Sequence, residues 1–213
     1  MRYGTILADP PWRFKNWSMK EAAERGEKWA RRNGRSPYDT MDTEAIESLP
    51  VRALAARDCT LLLWATNPKM EDAFRVIRAW GFEYKTMITW VKMTAAAAPR
   101  IGLGYHARSA TEHLLIGAMG SPGVPSPADR PCSVIFCPIG EHSKKPDFQY
   151  QLAEGYPGPY VELFHRPREG GLFPARSGWD YHGFEVDGLD MRVALERLAA
   201  QTMPEHDTAA PAS

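Results

Sequence analysis

Short apolar runs recur along the chain, each bounded by polar residues or by Gly and Pro. They predict strands over 5–8, 59–65, 87–91, 113–118, 133–137 and 160–164. Several are continuously apolar rather than alternating, the pattern of a sheet covered on both faces. Between them the period lengthens. Asn67-Pro68 places a cap and a first-turn proline ahead of Met70, Ala73, Phe74, Ile77 and Trp80, which repeat at three and four residues, and Gly81 ends that helix. Pro146-Asp147 opens a second helix carrying Phe148 and Leu152. Leu189, Val193 and Leu198 mark a C-terminal helix, and Asp42 or Thr43 caps another. Strands alternating with helices predict an α/β fold with a mainly parallel sheet and helices on both faces.

The 213 residues suffice for one domain with a sizeable core, expected over 1–203. Segments 16–37 and 94–104 read as mobile substrate loops, 121–130 as a Pro-rich loop, and 204–213 as a disordered tail. No apolar stretch has membrane-spanning length. Met1-Arg2-Tyr3 runs straight into the first strand, leaving no room for a signal peptide. Cys59, Cys132 and Cys137 are odd in number and lack CxxC spacing. Neither a disulfide framework nor a metal site is expected, and the three cysteines read as buried small apolar residues in a reducing cytoplasm.

The formal net charge is zero, so a nucleic-acid surface has to be local. One segment is basic. It carries Arg13, Lys15, Lys20, Arg25, Lys28, Arg31, Arg32 and Arg35 against Glu21, Glu24 and Glu27, with Trp17 and Trp29 interleaved. It reads either as a lid touching phosphates through Arg31, Arg32 and Arg35, or as a solvated helix face with a Glu24–Lys28 pair.

The candidate chemistry follows the first strand directly. In Asp9-Pro10-Pro11-Trp12 the prolines fix φ and push the residues before them toward extended geometry. The result is a rigid, acceptor-rich turn at a strand's C-terminal end, the ligand-binding edge of open α/β sheets. Acceptors beside an aromatic plane suit an exocyclic amine on a nucleobase. A plain Pro-Pro turn with a core tryptophan is the alternative reading.

The tetrapeptide resembles the [D/N/S]-P-P-[Y/F/W] motif of amine methyltransferases, in the D-P-P-W form of the MT-A70 family of adenine N6-methyltransferases. Other strings resemble that family in its order: Tyr38-Asp39-Thr40-Met41, Leu63-Trp64-Ala65-Thr66-Asn67, Trp90-Val91-Lys92, Glu112-His113-Leu114-Leu115-Ile116-Gly117, His142-Ser143-Lys144-Lys145-Pro146-Asp147, Glu162-Leu163-Phe164-His165-Arg166 and Gly183-Phe184-Glu185. The resemblance runs from about Gly4 to Glu185. It implies a Rossmann-like methyltransferase fold, permuted so that the D-P-P-W strand comes first and the cofactor strand late. It implies S-adenosylmethionine as cofactor and nucleic acid as substrate, DNA ahead of RNA, acted on by a monomer or homodimer.

The resemblance also distributes roles. Asp9 and the carbonyl of Pro10 would accept the two N–H hydrogens of the adenine amine, with Pro11 fixing the turn and Trp12 stacking on the base. Tyr38 and Thr40 would hold the base. Lys145 would anchor the cofactor's carboxylate or steady the base, paired with Glu112; a solvated surface lysine is the alternative. His142 is a pocket wall or an ordinary turn histidine. Arg166 and Arg168 would reach cofactor hydroxyls, and Glu185 the ribose. Phe184 replaces the family's usual asparagine, which removes one ribose hydrogen bond. Longer members wall the cofactor's adenine ring with chain preceding the D-P-P-W strand; here Cys137, Pro138 and Ile139 are the substitute candidates. Two rivals are a catalytically silent nucleic-acid-binding subunit, disfavoured by the retained Asp9, and methylation of a protein or small-molecule amine.

Overall fold

In a computed structural model of the protein the described residues are 2–14, 40–102, 104, 106–140, 144–166, 176–183, 186 and 188–202. Their strands are β1 (Tyr3–Ala8), β2 (Ala55–Thr66), β3 (Glu83–Met93), β4 (Thr111–Met119), β5 (Val134–Pro138), β6 (Tyr160–Leu163) and β7 (Trp179–His182). The helices are α1 (Thr43–Glu47), α2 (Val51–Leu54), α3 (Met70–Ala79), α4 (Phe148–Glu154) and α5 (Met191–Thr202), with a 3-10 turn at Asn67–Lys69 leading into α3. The seven strands form one sheet in the order β5-β3-β4-β2-β1-β6-β7.

Pairing is parallel for β1–β2, β1–β6, β3–β5 and β6–β7. It is antiparallel where β4 sits between β2 and β3. The mixed sheet is therefore α/β and Rossmann-like, with β4 running against the rest. That reversal follows from the β3–β4 connection, which joins neighbouring ends at one edge of the sheet. Strand β7 was not foreseen, because four residues beginning at Trp179 carry too little periodicity to stand out.

Alternation across the strands divides the core. Ile6, Ala8, Leu61, Leu63 and Leu115 face one side, where Ile46, Val51, Leu54, Ala73, Val76, Ile77 and Leu195 from α1, α2, α3 and α5 cover them. Leu7, Leu62, Trp64, Leu114 and Ile116 face the other, packed by Leu152 and Ala153 of α4 and by Trp179. Both faces of β1 and β2 are thus dry, which explains their unbroken apolar runs.

The register brings all the functional ends to one edge. Ala8 pairs with Leu63 and with Leu163, Thr66 with Glu112, Trp90 with Glu112, and Met93 with Pro138. The C-terminal ends of six strands and the N-terminal end of β4 therefore share one rim. Chain order reverses across β1: the connection to β2 goes one way and β6 lies on the other side. Such a switch point opens a crevice for ligands.

Several expectations change. Residues 94–102 are a turn with its own hydrogen bonds rather than a structureless loop: Thr94 N–H donates to Ala98 (2.8 Å) and Arg100 N–H to Lys92 (2.7 Å). Cys59 is buried and its thiol is pushed up to about 12 by that burial, but Cys137 is half-buried and Cys132 is exposed. Residues 16–37 and 204–213 lie outside the described residues. Among the described residues no helix is long and apolar enough to cross a membrane.

Candidate active site

Asp9 leaves the end of β1 at the switch point, and two further hydrogen bonds fix the turn behind it. Trp12 N–H donates to the carbonyl of Pro10 (2.8 Å), closing a tight turn about Pro11, and Met41 N–H donates to the carbonyl of Pro11 (2.8 Å). Arg13 N–H returns the bond to Met41 (3.0 Å), so the motif is stitched to the segment entering α1. A carbonyl has two lone pairs, and the one on Pro10 not taken by Trp12 is available to another donor.

Four charges of alternating sign run away from Asp9. Lys145 Nζ lies 2.7 Å from Asp9 Oδ2 and 3.3 Å from Glu112 Oε2. Glu112 Oε1 in turn accepts from Lys92 Nζ. Lys145 is only 11% exposed and sits 5.5 Å from the centroid of the Trp64 ring. Burial alone would push its pKa down, but Asp9 and Glu112 outweigh that and hold it above the usual lysine value. For Glu112 burial pulls upward, and the ammoniums of Lys145 and Lys92 outweigh it, so its carboxyl stays below the usual range. Both groups are therefore charged at neutral pH. Lys145 consumes one oxygen of Asp9 and leaves the other as an acceptor.

Trp64 is the floor of this arrangement. Its Nε1 donates to Gln149 Oε1 (2.7 Å), its ring meets Trp90 edge-on at 6.1 Å, and its carbonyl accepts from Trp12 Nε1 (3.1 Å). Trp12 is accordingly 6% exposed and a member of the core. The expected open stacking face is not what this indole presents, because its N–H is satisfied inward and its ring packs beneath the turn.

Beside Glu112 lies a cleft of about 730 Å³. Phe14, Thr66, Trp90, Lys92, Glu112 and Ile139 are among the residues that line it. At its rim His113 braces Asn67. Its Nε2 contacts Asn67 Oδ1, an acceptor, so Nε2 carries the proton, and the Thr89 hydroxyl donates to Nδ1 (3.1 Å). Burial depresses the pKa of His113, with Glu112 pulling weakly the other way.

On the other side of β1, Phe164 ends β6 in the left-handed region (φ 65°), turning the chain toward Arg166. Beneath it Glu162 accepts from Tyr150 Oη (2.8 Å) and pairs with His165 Nδ1 (2.9 Å). The loops after β6 and β7 touch closely. His165 N–H donates to the His182 carbonyl (3.0 Å), and a Cβ on Gly183 would fall 2.1 Å from the His165 oxygen, so only glycine fits.

The sequence-derived site residues thus separate. Asp9, Pro10, Pro11, Lys145 and Glu112 come together. Thr40 is one bond removed, with its hydroxyl and carbonyl facing Arg13 (3.4 and 3.2 Å). Arg166 lies three residues past the end of β6, on the switch-point side of the sheet. Cys137 and Pro138 end β5 and Ile139 follows it, five strand spacings of roughly 4.8 Å from β6. Ile139 lines the cleft beside Glu112. Arg31, Arg32, Arg35, Tyr38, His142, Arg168, Phe184 and Glu185 lie outside the described residues. Lys92 and Trp64 were visible only as parts of family-like strings, since their roles arise from pairing across β2, β3 and β4.

Comparison with known proteins agrees with this geometry. The MT-A70 family model matches residues 3–184. The type II methyltransferase M.MunI of a Mycoplasma species is 28% identical over 208 residues, covering 92% of this chain and 82% of that protein. A putative N(6)-adenosine-methyltransferase MT-A70-like protein of Medicago truncatula is 30% identical over 204 residues, 94% of this chain but 29% of its own length. The N6-methyladenosine RNA methyltransferase MTA1 of Pyricularia oryzae is 30% identical over 155 residues, 69% of this chain and 38% of that protein. Against these last two the chain spans well under half of the relative's length. The chain belongs to the MT-A70 family of adenine N6-methyltransferases.

Proposed function

We propose that the chain transfers the methyl group of S-adenosylmethionine to the N6 amine of adenine in DNA. The observation that carries the reading is Asp9 at the switch point, with one carboxylate oxygen fixed by Lys145 and the other left to accept.

The residues present suit the cofactor. Asp9 follows β1 and Arg166 follows its neighbour β6, so this rim of the sheet carries an acceptor suited to a sulfonium and a cation suited to sugar hydroxyls. With Phe184 and Glu185 following β7, this is the permuted order, reactive strand first and cofactor edge late. When bound, the cofactor supplies an electrophilic methyl group.

The chain's own residues prepare the nucleophile. The adenine N6 lone pair is delocalised into the ring. Asp9 and the free lone pair of the Pro10 carbonyl accept its two N–H hydrogens, which favours a localised lone pair and orients it for in-line attack. Lys145 remains charged and donates; it does not serve as a base. Arg31, Arg32 and Arg35 are proposed phosphate contacts, and Tyr38 and Thr40 proposed contacts to the base.

Tritiated methyl transfer to DNA and RNA oligonucleotides, followed by nucleoside analysis, tests the assignment. N6-methyladenine in DNA is the expected product. Preferred transfer to RNA would favour the second reading, which the similarity to MTA1 supports. No transfer to either would leave the silent-subunit reading.

A further inference from the structure

We infer that Phe14, not Trp12, supplies the face on which a base of the nucleic acid stacks. The inference rests on the proposed nucleic-acid activity and names a positioning contact within that site.

A base held with its amine at Asp9 needs an apolar plane beside it. Among the described residues, the tryptophans near the motif do not offer one. Trp12 is 6% exposed, and Trp90, which lines the cleft, is 2% exposed with its Nε1 bound to the Cys137 carbonyl (2.9 Å). Phe14 is 44% exposed and lines the same cleft as Glu112 and Lys92. Exposed at a cleft that also carries charged groups, the Phe14 ring offers an apolar face to a flat ligand seated there.

Its position is anchored from both sides in the fold. The preceding Arg13 is tied through its backbone N–H to Met41 and through its guanidinium to Asp42 (2.6 Å). On the far side, Lys69 Nζ stands 5.8 Å from the Phe14 ring centroid and is itself paired with Asp72 (2.8 Å). Lys69 follows Asn67 and Pro68, which also line the cleft. The volume of about 730 Å³ lies within the range of organic ligand sites and accommodates a nucleotide. The ligand class is a nucleobase presented out of a duplex or in a single strand.

The test uses the full chain with F14A, F14L and F14W. Three quantities are read: KM for a single-adenine oligonucleotide, affinity for S-adenosylhomocysteine, and Tm. Quenching of 2-aminopurine placed at the target position reports stacking without turnover. F14A is expected to raise the oligonucleotide KM about 5- to 150-fold, the range for loss of one base–aromatic stack. It should leave cofactor-product affinity and Tm unchanged and abolish the quenching. F14W should restore both readouts, and F14L should restore neither. Wild-type KM and quenching in F14A, or rescue by leucine equal to that by tryptophan, would overturn the inference. A wild-type chain that methylates no oligonucleotide would instead count against the proposed activity, and the quenching series would still decide the role of Phe14.

Discussion

Trp12 Nε1 donates to the carbonyl of Trp64 across 3.1 Å, joining the end of the first strand to the end of its neighbour. The motif's aromatic is therefore a structural strut under the reactive turn. Trp12→Ala should destabilise the fold by about 3–5 kcal/mol, the usual range for emptying a large aromatic site. That corresponds to a Tm lower by roughly 10 °C in a domain of this size. Differential scanning calorimetry checks it. An unchanged Tm with an impaired oligonucleotide KM would return the stacking role to Trp12.

Asp9 has two donors to satisfy, the Lys145 ammonium and the substrate amine. Asp9→Ala should cut methyl transfer at least 10²- to 10³-fold while the protein remains folded. Asp9→Asn offers one acceptor atom in place of two and should recover only a small part of the activity. Single-turnover methyl transfer together with circular dichroism checks both. Near-wild-type turnover in Asp9→Ala would remove it from the chemistry.

Lys92 acts through Glu112, since it reaches Lys145 only by way of that carboxylate. Lys92→Met should lower kcat about 10- to 100-fold through misplacement of Lys145 and Asp9. It should also raise the Glu112 pKa, because one of the two ammoniums holding it down is gone. The acid limb of the pH–rate profile then moves to higher pH. A fall in rate with an unmoved acid limb would assign Lys92 to substrate contact alone.

His113 titrates below its ordinary value because burial disfavours its charged form. The unfolded chain therefore binds more protons than the native one just below the ordinary histidine pKa. The contribution to stability is present above about pH 6.5 and is lost as pH falls toward the depressed native value. Urea midpoints measured from pH 7.5 to 5 should decline, and His113→Gln should flatten that decline. Identical slopes for the two proteins would show that His113 has no part in it.

Much of the molecule was written locally. The unbroken apolar runs of β1 and β2 announced a sheet buried on both faces, because each strand must satisfy two dry layers at once. The three-and-four spacing from Met70 to Ile77 announced α3, and the prolines after Asp9 announced a rigid turn at a strand end. Chemistry that depends on residue type and short spacing survives in one dimension, so Asp9 could be named from its own motif, whereas Lys145 and Glu112 became candidates only through the resemblance to the family.

Tertiary pairing decided the rest. Nothing in the spacing of Lys92, Glu112 and Lys145 states that their charges meet; β3 pairing with β4 sets Lys92 beside Glu112, and the segment after β5 brings Lys145 to Glu112 and Asp9. The strand order placed Cys137, Pro138 and Ile139 at the opposite side of the sheet from β6, because a strand's place is set by pairing and not by distance along the chain. Trp12 carried the stacking expectation, and Phe14, two residues on, carried none. Burial separates them, and burial depends on what the whole fold places beneath the turn.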